Sequence, residues 1–229
     1  MPCLDFVKDQ TIKKKLDGEP CCGKRKEHYN YCCADHNPVF QDTYIRPRDL
    51  ALENLRGDKM SDIIQLYNNK NAYHEELLPT SLRDYQLDHK FELQSAAYSI
   101  RNATVRNDKL DKEDREIVVE FLRDNALNED YNLAFTKTTT NKIKGGAVKK
   151  FLDDMLTKHQ KNPFTSYMID EFNLNGTNER VSRTVTKTIR AEVKKANKAC
   201  QYKLEDETDS PSFCAVQKQF KKLNVYMNT

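Results

Sequence analysis

Residues 82–94 read LRDYQLDHKFELQ and residues 131–145 read YNLAFTKTTTNKIKG, and the relation between these two stretches decides the fold. In the first, Asp88 and His89 end an apolar-polar run, setting a hard oxygen ligand beside the one side chain whose unperturbed pKa lies near neutrality. In the second, Asn132 and Asn141 bring carboxamides, which can give a carbonyl oxygen to an oxygen-preferring cation or hold an imidazole by hydrogen bond. From Asn132 the second Asn lies nine residues on and Lys144 twelve. Each stretch offers what the other lacks, so they read as halves of one site.

Working outward, the residues between the halves are helical in pattern. The run FELQSAAYSIRNA has apolar residues at 91, 93, 96, 97 and 100. Leu110 to Leu122 repeats the pattern with Ile117, Val118, Phe121 and Leu122. Thr80 to Leu87 and Tyr131 to Thr138 read as short strands, the second on its loose alternation and β-branched residues. Asn141 is expected to open a helix carrying Ala147, Val148, Phe151, Leu152, Met155 and Leu156 inward, with Gly145 and Gly146 weakening its first turn. Thus 43 residues of helical excursion separate His89 from Asn132. Such an insertion is tolerable because closure entropy grows slowly with loop length.

This constellation resembles the HNH, or ββα-metal, nucleases over residues 82–156. In that family an Asp-His sits on the first strand, an Asn-Leu leads the second, and an Asn or His three residues before a Lys opens the helix. The run Asp88-His89 followed by Glu92 and Gln94 is similar to one many HNH-like proteins carry. The cysteines of the family's frequent zinc knuckle are missing, since Lys137 and Thr140 stand in their places. The resemblance implies an endonuclease hydrolysing phosphodiesters, in DNA before RNA. It makes His89 the general base, Asn132 the residue that orients its ring or pins the loop, and Asp88 and Asn141 the ligands of Mg²⁺ or Mn²⁺. Lys144 would contact the phosphate backbone, and Glu92 would be an accessory ligand or a plain first-turn carboxylate.

Seven cysteines are present, five of them before residue 34. In a reducing compartment that density reads as metal binding before disulfides. Residues 18–36, GEPCCGKRKEHYNYCCADH, resemble the small Cys-Cys-Cys-His fingers of large DNA virus proteins. The pattern points to Cys3, Cys22, Cys33 and His36 as Zn²⁺ ligands, with each doubled cysteine leaving its neighbour as an alternative. A segment so short and polar needs the metal's binding energy to fold.

Downstream of the motif, a helix is expected from Glu179 to Lys198 with Val181, Val185, Ile189 and Val193 inward. Its other face carries Arg183, Lys187 and Arg190, which could track phosphates or simply be solvated. His74 reads as a surface histidine, and Cys200 and Cys214 as ordinary thiols. Residues 205–212 read as a linker before a last short helix.

The whole is therefore expected to be α+β and mostly helical. A zinc finger spans 1–38, an HNH-like domain with helical insertion and flanks spans 48–200, and a linker and C-terminal helix span 201–229. The 229-residue chain is polar, with 38% hydrophobic and 32% charged residues, and its mean hydropathy is -0.86. Its net charge of +3 is too small to argue for a polyanionic partner, so that case rests on local Lys and Arg clusters. No apolar run approaches the roughly 20 residues of a membrane span, and the N-terminus lacks a signal peptide's apolar core, so an intracellular protein is expected. The rival reading is a non-catalytic zinc-finger adaptor that binds nucleic acid on a degenerate HNH fold.

Overall fold

The computed structural model describes residues 45–106, 110–157, 162–207 and 210–228. The expected zinc ligands Cys3, Cys22, Cys33 and His36 lie outside these residues. Among the described residues the chain is mostly helical, with one two-stranded antiparallel sheet.

After a 3-10 turn at Pro47–Leu50, helix α1 spans Leu55–Leu66, strand β1 Tyr85–His89, α2 Leu93–Arg106 and α3 Lys112–Leu122. A π turn, Arg123–Leu127, and a 3-10 turn, Asp130–Asn132, lead to β2, Leu133–Lys137. Then come α4, Thr138–Thr157; α5, Phe164–Leu174; α6, Glu179–Glu205; and α7, Pro211–Asn228. Helix starts follow local chemistry. Asp111 accepts from the Asp114 amide at 2.8 Å and Asn178 from the Arg180 amide at 3.0 Å, each satisfying an orphan donor of a first turn. Pro163 precedes α5, and Gly176, at φ 69°, takes the left-handed conformation just beyond its end.

The excursion closes on itself as the slow growth of loop entropy allows. β1 and β2 pair in a register that sets Tyr85 against Lys137, Leu87 against Phe135 and His89 against Leu133. Alternation gives the hairpin two faces. On one, Tyr85, Leu87, Leu133 and Phe135 pack against Ile63 of α1, with the Tyr85 and Phe135 rings stacked 5.9 Å apart. The other face, with Asp88 and Ala134, meets α4, which follows β2 without a loop.

Several boundaries differ from the sequence expectation: β1 spans Tyr85–His89, where Thr80 to Leu87 was expected, and β2 spans only Leu133–Lys137 of the expected Tyr131 to Thr138. Helix α4 starts at Thr138, so Asn141 lies within its first turn instead of opening it, and the helix runs unbroken through both glycines. Gly146 sits at a close approach: a Cβ there would stand 3.0 Å from Glu171 Oε2, so that side chain would have to shift. Helix α6 continues past residue 200 to Glu205, and α7 belongs to the main core through Phe213, Val216, Phe220 and Leu223. The Phe91 and Phe220 rings meet edge to face at 5.0 Å, tying α7 to the residues after β1. Val181 is 44% exposed, because the inward stripe of α6 runs through Ser182, Val185, Ile189 and Val193 instead.

Candidate functional site

Asp88 and His89 are neighbours in sequence and, by the pleat, point to opposite faces of β1. Each has its own set of partners, and the two sets differ in kind.

Asp88 is 3% exposed. Its Oδ2 accepts from the Tyr73 hydroxyl at 2.7 Å and pairs with Lys144 Nζ at 2.8 Å. Its Oδ1 has no hydrogen-bond partner among the described residues. Lys144 is fully buried, and its ammonium also faces Glu92 Oε1 at 3.1 Å and donates to the His89 carbonyl. Burial alone would push the Lys144 pKa down, but the Asp88 and Glu92 carboxylates overcome it and hold the ammonium charged. Glu92 shows the opposite balance. Burial raises its carboxyl, with Asp88 adding to the rise, and the attraction of Lys144 only partly offsets them, leaving its pKa at about 7. The partner of Glu92 Oε1 is the Lys144 ammonium, an ion pair at 3.1 Å without a well-aligned hydrogen bond.

Lys144 was expected to touch the phosphate backbone, and the structure corrects this. A lysine with no solvent exposure, its donors committed to Asp88, Glu92 and a strand-end carbonyl, is a rivet between α4 and β1.

His89 is half-buried, and its Nε2 lies 2.8 Å from Asn128 Oδ1. The Asn128 amide nitrogen donates to the Leu50 carbonyl at 2.9 Å and the Arg123 carbonyl at 2.7 Å, which fixes its oxygen as the acceptor. It follows that His89 Nε2 carries the proton and Nδ1 the lone pair. Burial lowers the His89 pKa more than Asn128 and Asp88 raise it, so the ring is neutral at ordinary pH. A neutral imidazole with one nitrogen pinned is a competent proton acceptor at the other.

The sequence assigned ring orientation to Asn132 and offered pinning of the loop as its other role. The structure gives it the second. Asn132 is fully buried; it accepts from the Phe91 amide at 2.8 Å and donates to the Leu127 carbonyl at 2.7 Å and the Phe91 carbonyl at 3.3 Å. It locks the exit of β1 to the entry of β2. The residue that holds the ring, Asn128, was missed. The only available signal was a third carboxamide in the turn-forming run ALNEDYN, four residues before the one chosen.

Asn141 is half-buried in the first turn of α4, three residues before Lys144 and so on the same helix face. Its side chain makes no hydrogen bond among the described residues. The preceding Thr140 is bonded to His74 Nε2 at 2.9 Å, so His74 is a half-buried brace and not a free surface histidine.

No cluster of three His, Cys, Asp or Glu side chains able to hold a metal occurs among the described residues. A donor set of carboxylates and a carboxamide is nonetheless of the hard-oxygen kind that suits Mg²⁺ or Mn²⁺. Asp88 Oδ1 is the carboxylate oxygen left for such an ion, whereas the Lys144 ammonium, at Asp88 Oδ2 and at Glu92 Oε1, counts against a second positive charge there.

On α6, Arg183 pairs with Glu179 at 2.7 Å, Lys187 is exposed and Arg190 is half-buried with a partner of its own. No helix among the described residues is long and apolar enough to cross a membrane. No protein-family model matches the chain, and neither characterised proteins nor solved structures give a match.

Proposed function

We propose that this chain is a metal-dependent endonuclease of the ββα-metal kind, hydrolysing phosphodiester bonds in nucleic acid, DNA before RNA. One observation carries the reading: two strands whose facing ends, His89 and Leu133, lie 44 residues apart pair antiparallel and run directly into a helix, with Asp88 and His89 at the end of the first strand and Asn141 in the helix's first turn.

His89 is the general base. Asn128 holds its Nε2–H, so Nδ1 takes the proton of the attacking water, and burial keeps the ring unprotonated beforehand. Asp88 through Oδ1 and Asn141 through its amide oxygen would hold Mg²⁺ or Mn²⁺, with Glu92 within reach as an accessory carboxylate. The bound cation would supply charge stabilisation at the phosphate and the departing oxygen. Lys144 and Asn132 keep the strand ends and the helix in register. Because the pleat splits Asp88 from His89, the scissile group would have to lie across the end of β1. An N-terminal zinc finger at Cys3, Cys22, Cys33 and His36 and the α6 residues Arg183, Lys187 and Arg190 would add phosphate contacts.

Plasmid nicking with Mg²⁺ or Mn²⁺ tests the assignment. The parent should nick, and His89→Ala should lose about 10²- to 10⁴-fold in rate, the usual worth of a general base. Equal cutting by variant and parent would remove His89 from the mechanism. The Lys144 ammonium against Asp88 favours a second reading, a non-catalytic nucleic-acid-binding module, and that reading prevails if the parent retards DNA in a gel but cuts under no metal.

A further inference from the structure

A pocket of about 330 Å³ opens beside the proposed site, between the turn at residues 71–76 and the first turns of α6. Its floor is the buried Tyr73 and Val185, and its apolar wall is the exposed Val181. Its polar lining is His74, Glu75, Arg180, Thr184 and Thr188. None of these residues has a role in the assignments above except as a brace.

Two features tie the pocket to the site. Tyr73 spans them, since its ring lines the pocket and its hydroxyl donates to Asp88. His74 does the same through Thr140, the residue next to Asn141. Both walls are fixed before any ligand arrives. Asn71 Oδ1 accepts from the Tyr73 amide at 3.1 Å and the Thr136 hydroxyl at 2.9 Å, and the Ala72 amide bonds the Phe135 carbonyl at 3.1 Å, so the turn is fastened to β2. The other wall is a 27-residue helix.

We propose that this pocket takes one unstacked nucleotide of the strand being cut, making the substrate single-stranded or frayed. This rests on the nuclease reading for its location, but the chemistry of the lining supports it separately. The volume lies at the small end for ligand pockets, enough for one base and its sugar. Val181 and Val185 offer an apolar surface to a base face. The Thr184 hydroxyl donates to the Arg180 carbonyl, so its lone pairs, like the Glu75 carboxylate, can accept from an exocyclic amine. Arg180 is exposed at the rim, where its guanidinium suits a flanking phosphate and balances Glu75. A base within a closed duplex can enter only by flipping out, which costs unpairing and unstacking and so favours a strand already single.

The test is anisotropy of a labelled short oligodeoxycytidylate, whose bases carry an exocyclic amine, its RNA counterpart and a blunt duplex, with Mg²⁺ and Mn²⁺ left out to stop cutting. Thr184→Trp fills the pocket and Arg180→Glu reverses its rim charge, both at exposed positions, and thermal melts check that each variant folds. Each should weaken single-strand binding about tenfold, as expected for one base contact, and leave duplex binding within about twofold. Binding like the parent by both folded variants, or equal weakening for single strand and duplex, would overturn the pocket assignment. If no metal supports cutting while the two pocket variants still lose single-strand affinity, the pocket stands and the nuclease reading falls.

Discussion

The two faces of β1 solve the same problem, a polar side chain taken out of water, in different ways. On the Asp88 face the solution is ionic: two carboxylates share one buried ammonium. On the His89 face it is neutral: an imidazole is held by an amide whose own donors are spent on carbonyls. The ionic face is costly to break and is suited to fastening α4 to the strand. The neutral face leaves one ring nitrogen uncommitted and is suited to moving a proton. Ionic and neutral burial are thus divided between adjacent residues.

That division can be broken most severely at Lys144. Lys144→Met should cost about 3–5 kcal/mol in urea unfolding, the usual penalty for removing one partner of a buried ion pair. Neutralising both carboxylates as well, with Asp88→Asn and Glu92→Gln, should restore much of the loss, and failure of the triple variant to recover would show that packing around the lysine, and not charge, is what matters. Asn132→Ala comes next, at roughly 2–4 kcal/mol, because it strands the Phe91 amide and the Leu127 carbonyl in the interior. His89→Ala, on the neutral face, should unfold within about 1.5 kcal/mol of the parent. A penalty as large as that of Lys144→Met would erase the contrast.

A pH profile sharpens it further. Glu92 has a raised folded pKa of about 7 against 4.5 for an ordinary glutamate, so its contribution to stability is fully present below 4.5 and is lost as pH rises through 7. His89 has a lowered pKa, so its contribution is present above 6.5 and is lost as pH falls through its folded value. Glu92→Gln should therefore flatten the melting profile between 4.5 and about 7 and leave the alkaline side unchanged, and a profile that keeps its slope in that window would show that Glu92 stays ionised. The smallest effect belongs to α6. Arg183→Glu with Lys187→Glu should weaken DNA binding severalfold and flatten its salt slope by about two charges, and an unchanged slope would make that face merely solvated.

The second strand and the helix after it were legible in the sequence because loose alternation and β-branched residues over 131–138 give way to an apolar helical period from Ala147 to Leu156. Lys144's burial was not legible, because an isolated lysine reads as a surface residue and only the tertiary meeting with Asp88 and Glu92 makes its interior place tolerable. Asn128 escaped for a related reason. Its partners, His89, Leu50 and Arg123, come from separate parts of the chain, and no local period announces them. Val181 failed on register, since α6 turns its inward stripe by one residue to Ser182, a small polar residue that scores poorly as core.

Whether Asp88 and Asn141 share a cation is decided most directly by crystals grown with Mn²⁺ and measured for anomalous scattering. The account predicts one peak about 2.0–2.5 Å from Asp88 Oδ1 and the Asn141 amide oxygen, with Nδ1 of His89 facing the same open space. Density that shows Lys144 still closed on Asp88, with no manganese at that carboxylate, would contradict it.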